Sequence, residues 1–188
     1  MSDSASLNRF QNQSGVTFIE LMISIAVLGV LVAIAAPYYG DYVERQRWVG
    51  ATEAIYGQFQ QAKRAALSNN TQIYVNAVST ASTNWCVGYG ESNACDCGTA
   101  SSCQINGQDT VSVNAENYPG ISLSLAASDA TPTTATSISG WFSMPGISAD
   151  AKTLLVESSS LGDIRLVISP VGRVRICSND LSQYPDCL

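Results

Sequence analysis

Histidine is absent from the 188-residue sequence. With it go the usual general base of serine and cysteine nucleophile systems and the commonest transition-metal ligand. A carboxylate pair poised in a cleft would be the remaining route to catalysis, and no such pair is legible, so neither an enzyme nor a cofactor is expected. Basic residues are scarce: nine Lys and Arg against fifteen Asp and Glu give a net charge of −6 and a pI near 4.4. That balance excludes a generic electrostatic grip on nucleic acid or anionic lipid, which needs an excess of cations, and confines any polyanion binding to a local patch. There is no internal repeat, and the length leaves room for one ordinary domain beside a membrane segment.

No cysteine precedes residue 86, yet six follow: Cys86, Cys95, Cys97, Cys103, Cys177 and Cys187. An even number confined to one region reads as a disulfide framework in an oxidising compartment. The paired C-x2-C knuckles of common zinc sites are missing, so no metal is expected. Cys177 and Cys187 stand apart from the rest and are expected to pair. Cys95 with Cys97 would close too tight a loop. That leaves Cys86–Cys95 with Cys97–Cys103, or Cys86–Cys97 with Cys95–Cys103, and the sequence does not choose.

The longest apolar run, Val16 to Ala36, follows a polar leader that has one basic residue, Arg9, and ends at Gly15. As a helix it would extend about 32 Å, enough for a bilayer core of about 30 Å. A secretory signal has its cleavage site after the apolar run, whereas cleavage after Gly15 would leave the span on the mature chain. The run carries Glu20 near its start, where a carboxylate costs about 3 kcal/mol on insertion scales and so needs a partner or a role.

Gly15-Val16-Thr17-Phe18-Ile19-Glu20-Leu21, followed by an apolar stretch and Pro37, resembles the signature of type IV pilins and of type II secretion pseudopilins. The resemblance implies that a prepilin peptidase cuts after Gly15 and methylates the new amino terminus, Val16, where phenylalanine is usual. It implies too that Glu20 pairs with the amino terminus of a neighbouring subunit during assembly, which would neutralise the charge. It places the chain in the inner membrane as a single-pass protein with its carboxy-terminal domain extracytoplasmic, and afterwards in a cell-surface pilus. Other pilin subunits are the implied partners.

Helical spacing continues beyond the span through Tyr42, Val49, Ile55, Phe59, Ala62 and Ala66. Pro37 is expected to kink this helix and Asn69-Asn70 to end it. Tyr38, Tyr39 and Tyr42 suit a membrane interface. After Asn70 the period changes to short alternating runs: 71–78, 85–90, 109–114, 120–127, 137–144, 153–159, 163–169 and 172–178. The expected fold is α+β, a long amino-terminal helix packed on a mostly antiparallel sheet. Its segments are a leader (1–15), a transmembrane half-helix (16–37), a soluble half-helix (38–70) and a disulfide-bearing β domain (71–188). Trp85, Tyr118, Trp141 and Phe142 are read as core or rim residues.

Residues 163–180 sort their side chains best with a three-residue loop, Pro170-Val171-Gly172, which pairs Ile168 with Val174 and Leu166 with Ile176. Arg165, Arg173 and Arg175 then share the opposite face. Gly172-Arg173-Val174-Arg175 is similar to the G-R-x-R motif of FimT-like minor pilins, which share the FimT/GspH domain with secretion pseudopilins. The resemblance implies a minor pilin that contributes to DNA uptake, with Arg165, Arg173 and Arg175 on the phosphates of double-stranded DNA, without sequence preference. Alternatives are a tip or priming minor pilin that does not touch DNA, and a type II secretion pseudopilin.

Overall fold

The structure, a computed structural model, describes residues 15–81, 84–126, 137–143, 148–149 and 151–187. The chain divides after Asp41 into two units. A single helix, α1, runs from Phe18 to Asn69 and continues through Pro37. In the first unit its apolar stretch Phe18–Ala35 has a mean hydropathy of 2.6 and no buried residue, long and apolar enough to cross a membrane. Thr17 caps its start: its Oγ1 accepts the Glu20 N–H at 3.3 Å, as the spacing Thr-x-x-Glu favours.

In the second unit α1 buries Trp48, Ala51, Thr52, Ile55, Phe59, Ala62 and Ala66. The steps of three and four place them on one stripe. Two residues of the expected stripe lie off it: Tyr42 is 59% exposed, and Val49 only borders the core. Trp48, Ala51 and Thr52 take their places, roughly a third of a turn round the helix. Asn70 ends α1 in the left-handed region (φ 53°), while the Asn69 amide donates to the Ala65 carbonyl at 3.0 Å.

The strands are β1 (Ile73–Ala81), β2 (Asn84–Gly90), β3 (Gln104–Ile105), β4 (Gln108–Asp109), β5 (Val113–Asn114), β6 (Ile121–Ala126), β7 (Ser137–Ser143), β8 (Ser148–Ala149), β9 (Lys152–Ser158), β10 (Gly162–Ile168) and β11 (Val174–Cys177). In place of the one sheet expected they form two, in the orders β5-β2-β1-β7-β8 and β11-β10-β9-β6, plus the ribbon β3-β4; every pairing is antiparallel. The sheets meet without a shared ladder because side chains occupy the outer edge of β6. Trp85 Nε1 donates to the Ile121 carbonyl at 2.9 Å and Ser79 Oγ to the Leu123 carbonyl at 3.0 Å. Edge carbonyls that would otherwise invite another strand are thereby satisfied. Elsewhere the Ala149 N–H on β8 donates to the Pro170 carbonyl in the β10–β11 turn at 2.9 Å.

One core joins the α1 stripe to both sheets, including Val75, Val87, Leu123, Phe142, Leu154, Val156, Ile164 and Leu166. Trp85 is buried and stacks on Tyr118, ring centroids 6.4 Å apart; the Trp141 side chain lies outside the described residues. The run 109–114 yields only the short β5, and β4 ends at Asp109. The ribbon β3-β4 turns on Asn106-Gly107, both at positive φ (50° and 73°), the Asn-Gly chemistry of a two-residue hairpin.

Candidate functional site

The β10–β11 hairpin has the register that side-chain sorting predicted: Ile168 opposite Val174, Val167 opposite Arg175, Leu166 opposite Ile176. Ile164, Leu166, Ile168 and Val174 go into the core, and burying this alternating set specifies the register. The loop is held by local bonds. Gly172 N–H donates to the Ser169 carbonyl and Ser169 N–H to the Arg173 carbonyl, both at 2.9 Å, and Ser169 Oγ accepts the Arg173 N–H at 3.1 Å. Pro170 supplies the φ of the turn's second position, and Gly172 takes the left-handed conformation (φ 70°).

Arg173 and Arg175 are exposed, and no acidic partner holds either among the described residues. With Val167, Ser169 and Val171 they line a shallow depression of about 320 Å³. Arg165 keeps the expected strand face but is engaged by a neighbour. Its Nε lies 2.7 Å from an Asp163 carboxylate oxygen, two residues back on the same strand and therefore on the same face. A cation the spacing did not suggest stands at the turn instead: Lys63 Nζ on α1 donates to the Gly172 carbonyl at 3.2 Å. The two are 109 residues apart in the chain, and no local pattern links them.

The disulfides are Cys86–Cys97, Cys95–Cys103 and Cys177–Cys187. The third ties the end of β11 to the carboxy-terminal segment, whose Leu181 reaches the core and whose Tyr184 hydroxyl donates to Glu53 on α1 at 2.8 Å. Burial, with this bond to a carboxylate, pushes the Tyr184 phenol up to about 12. Gly162 opens β10 at φ 110°, and a Cβ there would run into the Asp180 carboxylate, which accepts the Asp163 N–H at 3.0 Å.

Gly15 and Val16 are exposed, three and two residues before α1 begins. In the second unit, Glu44 accepts hydrogen bonds from the hydroxyls of Ser158 and, at 2.8 Å, Ser160, fastening α1 to the β9–β10 turn. These bonds hold the Glu44 carboxyl below its ordinary 4.5. A depressed carboxylate stabilises the fold above its unfolded pKa, and the contribution is lost as pH falls through the folded value. Acidification below pH 4.5 is therefore expected to lower the protection factors of the Ser158–Ser160 amides, each taken against the unfolded chain's rate at the same pH, and Glu44→Gln to remove that pH dependence. Equal acid sensitivity in the variant would place the effect elsewhere.

An apolar span that begins behind a glycine and carries a glutamate in its first turn, followed by a helix-packed antiparallel β domain, is the architecture of a pilin-like chain. Residues 10–36 match the prokaryotic N-terminal methylation motif, and residues 51–183 match type II transport protein GspH. The chain belongs to this type IV pilin and GspH-like family. It is similar to a fimbrial protein of Pseudomonas aeruginosa, 33% identical over 93 residues that cover 50% of this chain and 59% of that one. A fimbrial protein of Neisseria meningitidis serogroup A is 36% identical over 107 residues, 56% of this chain and 51% of its own. The type IV major pilin protein PilE of Neisseria gonorrhoeae is 34% identical over 105 residues, 56% of this chain and 52% of its own. The chain thus spans about half the length of the curated relatives it matches. No solved structure matches it. The methylation motif with its apolar helix anchors the protein in the membrane.

Proposed function

We propose that this chain is a minor subunit of a type IV pilus that contacts double-stranded DNA through Arg173 and Arg175. In this reading prepilin peptidase cuts after Gly15, Val16 becomes the methylated amino terminus, and Glu20 meets the amino terminus of a neighbouring pilin as the filament grows. The observation that carries the DNA contact is the exposure of Arg173 and Arg175 beside a shallow depression, with no carboxylate on either among the described residues. Residues two apart on a strand face are about 7 Å apart, a spacing at which two guanidiniums engage neighbouring phosphates by charge-assisted hydrogen bonds. Such contacts position a duplex without reading its sequence.

The test is a titration of the full chain, in non-ionic detergent, into labelled duplex DNA at 50 mM salt. Arg173→Ala/Arg175→Ala is expected to weaken binding at least about tenfold while remaining folded. Equal binding by parent and variant, or none by either, sinks the DNA reading. The match to type II transport protein GspH favours a second reading, a secretion pseudopilin, and co-purification with secretion components in place of other pilins would support it.

A further inference from the structure

We propose that Lys63, and not Arg165, is the third cation of the DNA footprint. This rests on the DNA reading above and extends it from one hairpin to a surface shared by the hairpin and α1.

Three arginines would share this strand face by alternation alone, but Asp163 engages the Arg165 guanidinium at 2.7 Å, offsetting its charge at that end of the hairpin. Lys63 restores a cation at the other end. Its ammonium sits 3.2 Å from the carbonyl of Gly172, the residue before Arg173, and no carboxylate partners it among the described residues. An ammonium has three N–H donors; the Gly172 bond uses one and leaves two. The positive surface is therefore centred on the Pro170–Gly172 turn, not on the base of the hairpin.

The same geometry selects the form of nucleic acid. The depression beside the arginines is lined by Val167, Ser169, Val171, Arg173 and Arg175, and no aromatic ring is among them. Single-strand binding without sequence preference uses aromatic platforms on which bases stack. A footprint of two guanidiniums and an ammonium offers phosphate contacts alone. Duplex backbone is the ligand it fits.

Salt dependence separates a phosphate ligand from a residue that merely steadies the turn, because each phosphate neutralised on a duplex contributes about −0.9 to the slope of log K against log salt. The full chain in non-ionic detergent is titrated into a labelled 30-base-pair duplex between 50 and 200 mM salt. The parent slope is expected near −2.7, about −1.8 for Lys63→Met, and unchanged for Lys63→Arg and for Arg165→Met. Over that range the Lys63→Met variant should lose about 3.5-fold less affinity to salt than the parent. A Lys63→Met variant that binds more weakly with the parent's slope overturns the proposal and makes Lys63 a support of the turn. A reduced slope in Arg165→Met shows that Asp163 does not withhold Arg165, and also overturns it. If the parent does not bind, the DNA reading falls and takes this proposal with it; if Arg173→Ala/Arg175→Ala loses binding while Lys63→Met keeps the parent's affinity and slope, that reading survives and this one does not. Tighter binding to a single strand of the same length would overturn the duplex assignment.

Discussion

Trp48→Ala is expected to destabilise the second unit by about 4 kcal/mol, the middle of the range for truncating a fully buried tryptophan. Trp48 has no exposed surface, and its indole N–H donates to the Val156 carbonyl at 2.8 Å. Val156 belongs to β9, which lies between β10 and β6, so the indole pins the helix to the middle of a sheet. The truncation leaves a cavity between α1 and β9 and removes one neutral donor, itself worth about 1 kcal/mol. For a unit of this size the midpoint of thermal unfolding should fall by about 8–16 °C. Trp48→Phe keeps most of the volume and should cost less than half as much. Near-ultraviolet circular dichroism is the suitable readout, because the apolar half of α1 stays helical in detergent. A shift under about 3 °C for Trp48→Ala would mean that the helix stripe does not hold the sheet.

Reduction of the disulfides is expected to unfold one lobe and spare the core. Residues 91–112 contribute little hydrocarbon: Ile105 only borders the main core, while Cys86, Cys95, Cys97 and Cys103 form a separate buried cluster. The lobe lies directly on β2, where glycines make room for it. A Cβ on Gly88 would come within 2.9 Å of the Cys97 Cβ, and one on Gly90 within 3.0 Å of the Gln104 nitrogen. Cross-links closing loops of this length each constrain the unfolded chain by about 2–3 kcal/mol. Without them the lobe amides should exchange about a thousandfold faster by mass spectrometry, while Leu154, Val156 and Leu166 keep their protection. The carboxy-terminal segment should loosen less, because Leu181 remains in the core and Tyr184 remains on Glu53. Unchanged protection at 91–112 after full reduction would show that the lobe's own hydrogen bonds suffice.

The hairpin and the helix were legible because their signals are local. Alternation over Ile164, Leu166 and Ile168, with Pro170 and Gly172 at the turn, admits one register that keeps charge out of the core. In the same way Asn69-Asn70 gave the end of α1. Asn106-Gly107 is an equally local signal for the β3-β4 ribbon, but its strands are two residues each, too short for alternation to mark them. The stripe on α1 was misplaced at its first turn for a different reason. Tyr42 and Val49 are apolar and one heptad apart, but at about 100° per residue they stand roughly a third of a turn from the line of Ile55, Phe59 and Ala66, on which Trp48 lies, so the helical period itself favours Trp48.

Cysteine pairing shows the boundary between the two kinds of information. Spacing removed Cys95–Cys97 and isolated Cys177 with Cys187, but two arrangements of the other four close loops of similar length and similar entropy. Folding resolves them by placing Gly88 under Cys97 and Cys103, which brings Cys97 to Cys86 and Cys103 to Cys95. The division into two sheets has the same origin, since the bonds from Ser79 and Trp85 to the edge of β6 join residues 44 and 36 positions apart. Chain order thus sets what depends on period, turn chemistry and apolar length: the span behind Gly15, the helix, the strands and the hairpin that carries Arg173 and Arg175. Which cations stand free is set in space, because charge is cancelled or exposed by neighbours that the chain brings together from either side of a sheet. Asp163 engages Arg165, and Lys63 arrives at Gly172 from a helix 109 residues away.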